Sequence, residues 1–310
     1  MLPKVNWPDG RRFAFSVFDD TDLANLENVG PVYALLADLG IHTTKSVWPI
    51  AGRGKPYLGG ATCEDPAYRQ WLLDLQKKGF EIGLHNVTYH TSTREETRRG
   101  LDVFKEIFGH DPMTLANHAG TDESIYWYEA RLSGVCALAY TLLTCGRFKG
   151  RARGHIDGDP LFWGDLCRER VKYVRNFVFA EINTLKACPW MPYHDPARPY
   201  VNYWFASSPG KDCRQFSETI SEQEQDRLEA EGGACIIYTH FASGFCQDGR
   251  VAPRFKGLME RLARKNGFFV PVGVLLNYLL DRFGHREITG RQRAGLERRW
   301  LLRKLWVGSE

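Results

Sequence analysis

Arg12-Phe13-Ala14-Phe15-Ser16-Val17-Phe18-Asp19-Asp20-Thr21-Asp22 runs from an apolar stretch straight into three carboxylates within four residues. The apolar part alternates aromatic and small side chains, the pattern of a short buried strand. A single Asp is ordinary where a strand breaks into a turn. Three repel one another unless positive charge sits among them, so the cluster reads as a functional acidic site. In α/β folds ligands collect at the C-terminal ends of strands, which is where these carboxylates fall.

A second junction of the same kind is Gly79-Phe80-Glu81-Ile82-Gly83-Leu84-His85-Asn86-Val87-Thr88-Tyr89-His90, a short apolar strand followed by two imidazoles. Neutral imidazole and carboxylate form the usual ligand set for zinc and similar divalent ions. Asp20, His85 and His90 together offer three protein ligands and leave a position for water. Residues five apart on one helix point about 140° from each other, so both histidines reach one ion only from a loop or a broken turn.

Around these junctions helix and strand signals alternate, which predicts a βα-repeat barrel in a single α/β domain. Helices are expected over about Val29 to Leu39, Pro66 to Lys78, Thr93 to Phe108 and Arg254 to Lys265, with a strand over Ile41 to Trp48. Ser221-Glu222-Gln223-Glu224 has the form of a capping box opening a helix that stops at Gly232-Gly233. Gly52 to Gly60 is a glycine-rich loop, and no helix pattern follows it as a nucleotide fingerprint requires.

In this order the motifs resemble the polysaccharide deacetylases, or NodB-like carbohydrate esterases. Phe18-Asp19-Asp20 looks like that family's opening strand end, and Glu81-Ile82-Gly83-Leu84-His85 like its histidine segment. Ile236-Ile237-Tyr238-Thr239-His240 is similar to its late strand, and Gly267 to Leu276 to its closing strand and helix start. The resemblance spans roughly residues 10–280 and implies a distorted (β/α) barrel that removes an N-acyl group from an aminosugar with a divalent ion, zinc first, then cobalt, nickel or manganese. It implies Asp19 as general base, Asp20 and His85 as ligands with His90 as the third, and His240 as proton donor to the leaving amine. Two departures stand out. The family spaces its two histidines four apart, where here they are five apart. Its Arg-Pro-Pro-Tyr-Gly-like motif, whose arginine orients the base, is replaced by Thr114-Leu115-Ala116-Asn117-His118-Ala119-Gly120. Asn117 or His118 is then expected to orient the base or contact substrate, and His118 is a spare ligand.

Residues 147–215 read as an irregular aromatic-rich insertion in a barrel over 1–283. Its Trp163 and Asp165 are candidate sugar contacts, as are the aromatic runs near Trp190 and Tyr203. Asp157, Asp159 and Asp165 compete as the carboxylate that tunes the catalytic histidine. Hydrophobic residues make up 43% and charged residues 25% of the 310, ordinary for a globular protein. The eight cysteines are scattered without a Cys-x-x-Cys pair, which reads as free thiols in a reducing compartment. The first eight residues lack a signal peptide's apolar core, so the expected location is cytoplasmic. From residue 284 onward there are seven Arg or Lys against three Glu, an excess equal to the whole chain's net charge of +4. This basic tail, 284–310, is expected to be a helix. Its segment 291–306 interleaves basic residues with Trp and Leu, so it can meet the inner face of a membrane or dock on the barrel or a second subunit. Basic charge confined to the tail argues against nucleic acid as a partner. The expected partner is a glycan or aminosugar. The alternatives are an inactive glycan-binding barrel and an amidase of small molecules.

Overall fold

Residues 5–54, 56 and 58–307 are described by this computed structural model, with side chains to residue 305. Lys55 and Tyr57 of the glycine-rich loop lie outside the described residues, as do 1–4 and 308–310. Eight strands, β1 (Phe13–Asp19), β2 (Thr44–Val47), β3 (Glu81–Leu84), β4 (Thr114–Leu115), β5 (Tyr173–Val178), β6 (Tyr203–Ser207), β7 (Ala234–Thr239) and β8 (Gly267–Phe269), form one parallel sheet. The hub is β1. Its residues Ala14–Asp19 pair with β7 along one edge. On the other edge Phe13–Phe15 pair with β8 and Phe18–Asp19 with β2. Closure between β6 and β7 passes through Ser208, whose amide donates to the Ile236 carbonyl at 2.7 Å and whose carbonyl accepts from the Tyr238 amide at 3.1 Å. The result is a nearly closed, distorted (β/α) barrel, the fold the alternating signals predict.

Helices cover the outside in chain order: α1 (Leu26–Asp38), α2 (Pro66–Lys77), α3 (Arg94–Phe108), α4 (Gly134–Leu143), α5 (Gly164–Arg170), α6 (Thr184–Ala187), α7 (Cys213–Thr219), α8 (Glu222–Glu231), α9 (Pro253–Ala263), α10 (Val272–Phe283) and α11 (Gly290–Val307). All seven residues of β1 are buried, because this strand has neighbours on both edges and covers on both faces. Each of its phenylalanines removed from water contributes about 1.5–3 kcal/mol. The capping box forms at Thr93 and Glu96, and another at Asn25 and Asn28. Ser221 precedes α8 as expected, yet its side chain makes no capping bond.

The stretch 147–215 is less irregular than its composition suggests, since it contains β5 and β6. Trp163, Tyr173, Tyr193 and Trp204 are packed in the core. The tail forms α11, which lies on the barrel. Leu296, Trp300 and Leu301 are buried. The equally buried Glu297 accepts from the Ser133 amide at 3.0 Å and from Arg198 at 3.1 Å. Arg293 reaches Asp195 at 2.7 Å, and Arg299 pairs with Glu181. No helix among the described residues is long and apolar enough to cross a membrane.

Candidate active site

The pleat separates Asp19, the last residue of β1, from Asp20, which follows it. Successive side chains of a strand point to opposite faces. Asp20 follows Ser16 and Phe18 into the barrel, where Arg175 of β5 grips both its oxygens at 2.9 and 2.6 Å. Burial pushes the Asp20 carboxyl up, but Arg175, then His85, outweigh it and leave the group below its ordinary value. Asp19 points outward beneath the helices. Lys45, its register neighbour on β2, lies 3.0 Å away, Tyr33 donates to it at 3.1 Å, and the Phe241 amide donates at 2.8 Å. Burial raises the Asp19 carboxyl, with Lys45 pulling the other way.

Asp22, in the turn two residues beyond Asp20, is where the imidazoles converge. His85 Nε2 lies 3.1 Å and His240 Nε2 3.2 Å from Asp22 Oδ2, and His118 Nδ1 lies 3.1 Å from Asp22 Oδ1. His85 Nδ1 is 3.1 Å from the Ala116 carbonyl, which can only accept, so that nitrogen carries the proton. In the neutral ring Nε2 then presents a lone pair to both Asp22 and His118 Nδ1, the latter 3.1 Å away. Burial lowers the His85 pKa against the pull of Asp20 and Asp22, which disfavours an imidazolium as the solution. The buried Asp22 Oδ1 has His118 Nδ1 3.1 Å away but no well-aligned hydrogen bond.

A cation here would satisfy Asp22 and the lone pair of His85 Nε2 together. Ligand atoms of Asp22, His85 and His118 all lie within 4.8 Å of one another, the one such group among the described residues. Two imidazoles and a carboxylate suit a divalent transition ion, and the Ala116 carbonyl fixes the ring of His85 as an outer-shell partner does. The donor set fits the implied metal.

His240 is held by the other ring nitrogen, Nδ1, 2.8 Å from the Lys211 carbonyl. Burial would lower its pKa, but the hydrogen bond to Asp22 and the charges of Asp20 and Asp22 raise it to about 9. Asn86, directly after His85, has a left-handed backbone with φ 52°. Its side-chain amide donates to Thr121 and Glu123, both at 2.8 Å, which ties the end of β3 to the loop carrying His118. Asn117 braces the same loop: Ile125's amide donates to it at 2.8 Å, and its own amide donates to the Ile125 carbonyl at 3.1 Å.

Three expected site residues sit apart from the places foreseen for them. His90 is not in the donor group; its ring packs on Gly52, where a Cβ would have no room, and accepts from the Arg53 amide. His118 stands in that group instead. Trp163 is buried and donates to the Glu123 carbonyl at 2.6 Å, so its ring offers no face to a sugar. Asp165, on α5, pairs with Arg94 at 2.6 Å outside the cavity. The competing acids are likewise engaged elsewhere, Asp157 by Tyr200 and Asp159 by Arg153.

The cluster opens into a cavity of about 460 Å³. Asp20, Asp22, His85 and His240 form its floor, and Trp127, Tyr128, Tyr140, Phe148 and Trp300 its apolar wall. Arg131 stacks between the wall's rings, 3.5 Å from the Trp127 centroid and 4.9 Å from that of Trp300. The sequence motifs do not point to Arg175, and they give Asp22 no role beyond its place in the acidic cluster. The available signal was a lone guanidinium in the apolar run Tyr173-Val174-Arg175-Asn176-Phe177 and an acid two residues beyond Asp20.

Barrel, strand-end acids and imidazole cluster together define a fold of the polysaccharide deacetylase type. A Mycobacterium smegmatis protein assigned as a polysaccharide deacetylase superposes with a TM-score of 0.51 at 12% identity, covering 92% of this chain and 96% of its own. Puue allantoinase superposes with a TM-score of 0.50 at 12% identity, covering 90% of this chain and 94% of its own. No family model matches the sequence, and no curated protein matches it either.

Proposed function

We propose that the chain is a divergent polysaccharide deacetylase: a metal-dependent hydrolase that removes an N-acyl group, acetyl first, from an aminosugar in a glycan or a lipid-linked sugar. The observation that carries this reading is the convergence of Asp22, His85 and His118 beside the Arg175-held Asp20 and His240 in one cavity. Asp22, His85 and His118 would hold the ion, zinc as the first candidate. When bound, such an ion supplies Lewis acidity toward the acyl carbonyl and the attacking water. Asp20 is the general base in this assignment, because it faces the cavity and its carboxylate stays ionised. Arg175 positions it, taking the part of the arginine absent from Thr114–Gly120. Water adds oxygen to the acyl carbon, Asp20 receives its proton, and the carbon–nitrogen bond breaks as His240 Nε2 protonates the departing nitrogen. Asp19, first expected as base, acts here as a support: it holds the amide of Phe241 and so the backbone just after His240. The half-buried Trp127 on the cavity wall suits the C–H face of a pyranose.

The test is acyl release from N-acetylated sugars and oligosaccharides by the metal-loaded chain, with Asp20→Asn beside it. Wild type should turn over, and Asp20→Asn should lose roughly 10²–10⁴ in kcat while keeping its metal. Binding of glycan without turnover would establish the inactive barrel, and turnover of small amides alone the amidase. Full activity in Asp20→Asn would remove the assigned base.

A further inference from the structure

The outer face of α4 carries an apolar surface that the barrel does not use. Gly134-Val135-Cys136-Ala137-Leu138-Ala139-Tyr140-Thr141-Leu142-Leu143 contains no charged residue. Its inner side, Cys136, Ala137, Ala139 and Tyr140, packs on the core. Val135, Leu138 and Leu142, spaced as one helical face, are 82%, 61% and 70% exposed. Next to α4 lies α11, whose Leu302 and Leu305 are 58% and 55% exposed. Exposed leucines scattered singly need no explanation, whereas five large apolar side chains exposed on two packed helices mark an interaction surface.

Charge says what the surface fits. Residues 134–151 hold Arg147, Lys149 and Arg151 and no acid, and α11 holds six Arg or Lys against one Glu, the buried Glu297. Arg147, Lys149 and Arg298 are exposed on this edge. Apolar side chains ringed by basic ones suit the headgroup region of an anionic bilayer: the leucines enter the acyl boundary while the cations meet lipid phosphates. Position links this edge to the cavity. Tyr140 of α4 and Trp300 and Lys304 of α11 line the cavity, so its wall and the apolar stripe are two sides of the same helix pair.

We propose that the α4–α11 edge seats the protein on an anionic phospholipid surface and holds the cavity mouth at the membrane, where an acylated amine on a lipid anchor can reach it. Docking stands independently of the catalytic reading; only the lipid-anchored substrate rests on it. The experiment is co-sedimentation of the full chain with vesicles of equal parts phosphatidylglycerol and phosphatidylcholine, and with phosphatidylcholine alone. Wild type should pellet with the anionic vesicles and much less with the neutral ones. Leu138→Glu/Leu142→Glu should lower the bound fraction more than about tenfold, since two leucines no longer leave water. Because these side chains are exposed, the variant should keep its melting temperature and its turnover of a water-soluble N-acetylated sugar. Leu305→Glu provides a second variant on the neighbouring helix, with the same expected loss. Wild type remaining in the supernatant, or Leu138→Glu/Leu142→Glu pelleting like wild type, overturns the proposal. So does a wild-type dimer that the double variant converts to monomer without any vesicle binding, which would make the edge an interface between copies. Loss of vesicle binding with intact turnover separates failure here from failure of the catalytic assignment.

Discussion

Lys45 is wholly buried, and its ammonium sits 3.0 Å from an equally buried Asp19. Removing one member of such a pair leaves the other charge without compensation, at a cost of about 3–5 kcal/mol. Lys45→Met should therefore lower the urea midpoint sharply, and Lys45→Met/Asp19→Leu should recover part of the loss; an unchanged midpoint in the single variant would contradict the pairing. Glu123 behaves differently. Burial lifts its carboxyl from the ordinary 4.5 to about 7, against hydrogen bonds that include one from Asn86. Between those values the folded chain keeps a proton that the unfolded chain has released. Stability from this group is thus intact below 4.5 and falls as pH rises to about 7. The loss is about 3 kcal/mol by the time the group is ionised in both states. Melting curves at pH 5 and pH 8 should show Glu123→Gln losing less stability than wild type across that interval. Equal losses in both proteins would remove Glu123 as the source.

At the scale of elements, α3 and α11 depend on single contacts that can be deleted. Thr93 caps α3 by accepting from the Glu96 amide, and Thr93→Ala should cost about 1 kcal/mol in chemical denaturation. Glu297→Ala removes the buried acceptor for Ser133 and Arg198. Hydrogen exchange should then show α11 opening more often while the barrel strands stay protected; uniform protection would mean α11 is held by its apolar face alone. These elements also show what the sequence made legible. Helix caps, the apolar run of β1 and the acids that end it are local patterns, and they appear where the local chemistry puts them. Which acid faces the lumen is another matter: it depends on the pleat phase of β1 against β2 and β5, which sets Asp20 on Arg175 and Asp19 on Lys45. His90 and His118 were separable only by tertiary placement, since β4 brings His118 alongside His85 while Gly52 and Arg53 draw His90 away. Arg175 comes from 155 residues beyond Asp20, a distance no motif spacing spans.

For the molecule as a whole, the candidate metal group joins residues following β1, β3 and β4, three strands with long crossovers between them. An ion there would fasten the open ends of those strands to each other. A ligand that binds only the folded chain stabilises it by about 2.7 kcal/mol at a hundred times its dissociation constant. Chelation should consequently lower the melting temperature by several degrees, and zinc or cobalt should restore it. The assignment of ligands is what the catalytic reading stands on, and cobalt(II) reports it directly through its visible absorption and its stoichiometry. Titrated with cobalt, wild type and His90→Ala should each bind one ion with the same spectrum, and Asp22→Ala and His118→Ala should bind none tightly. Retention of the ion in Asp22→Ala and His118→Ala, with its loss in His90→Ala, would contradict the account.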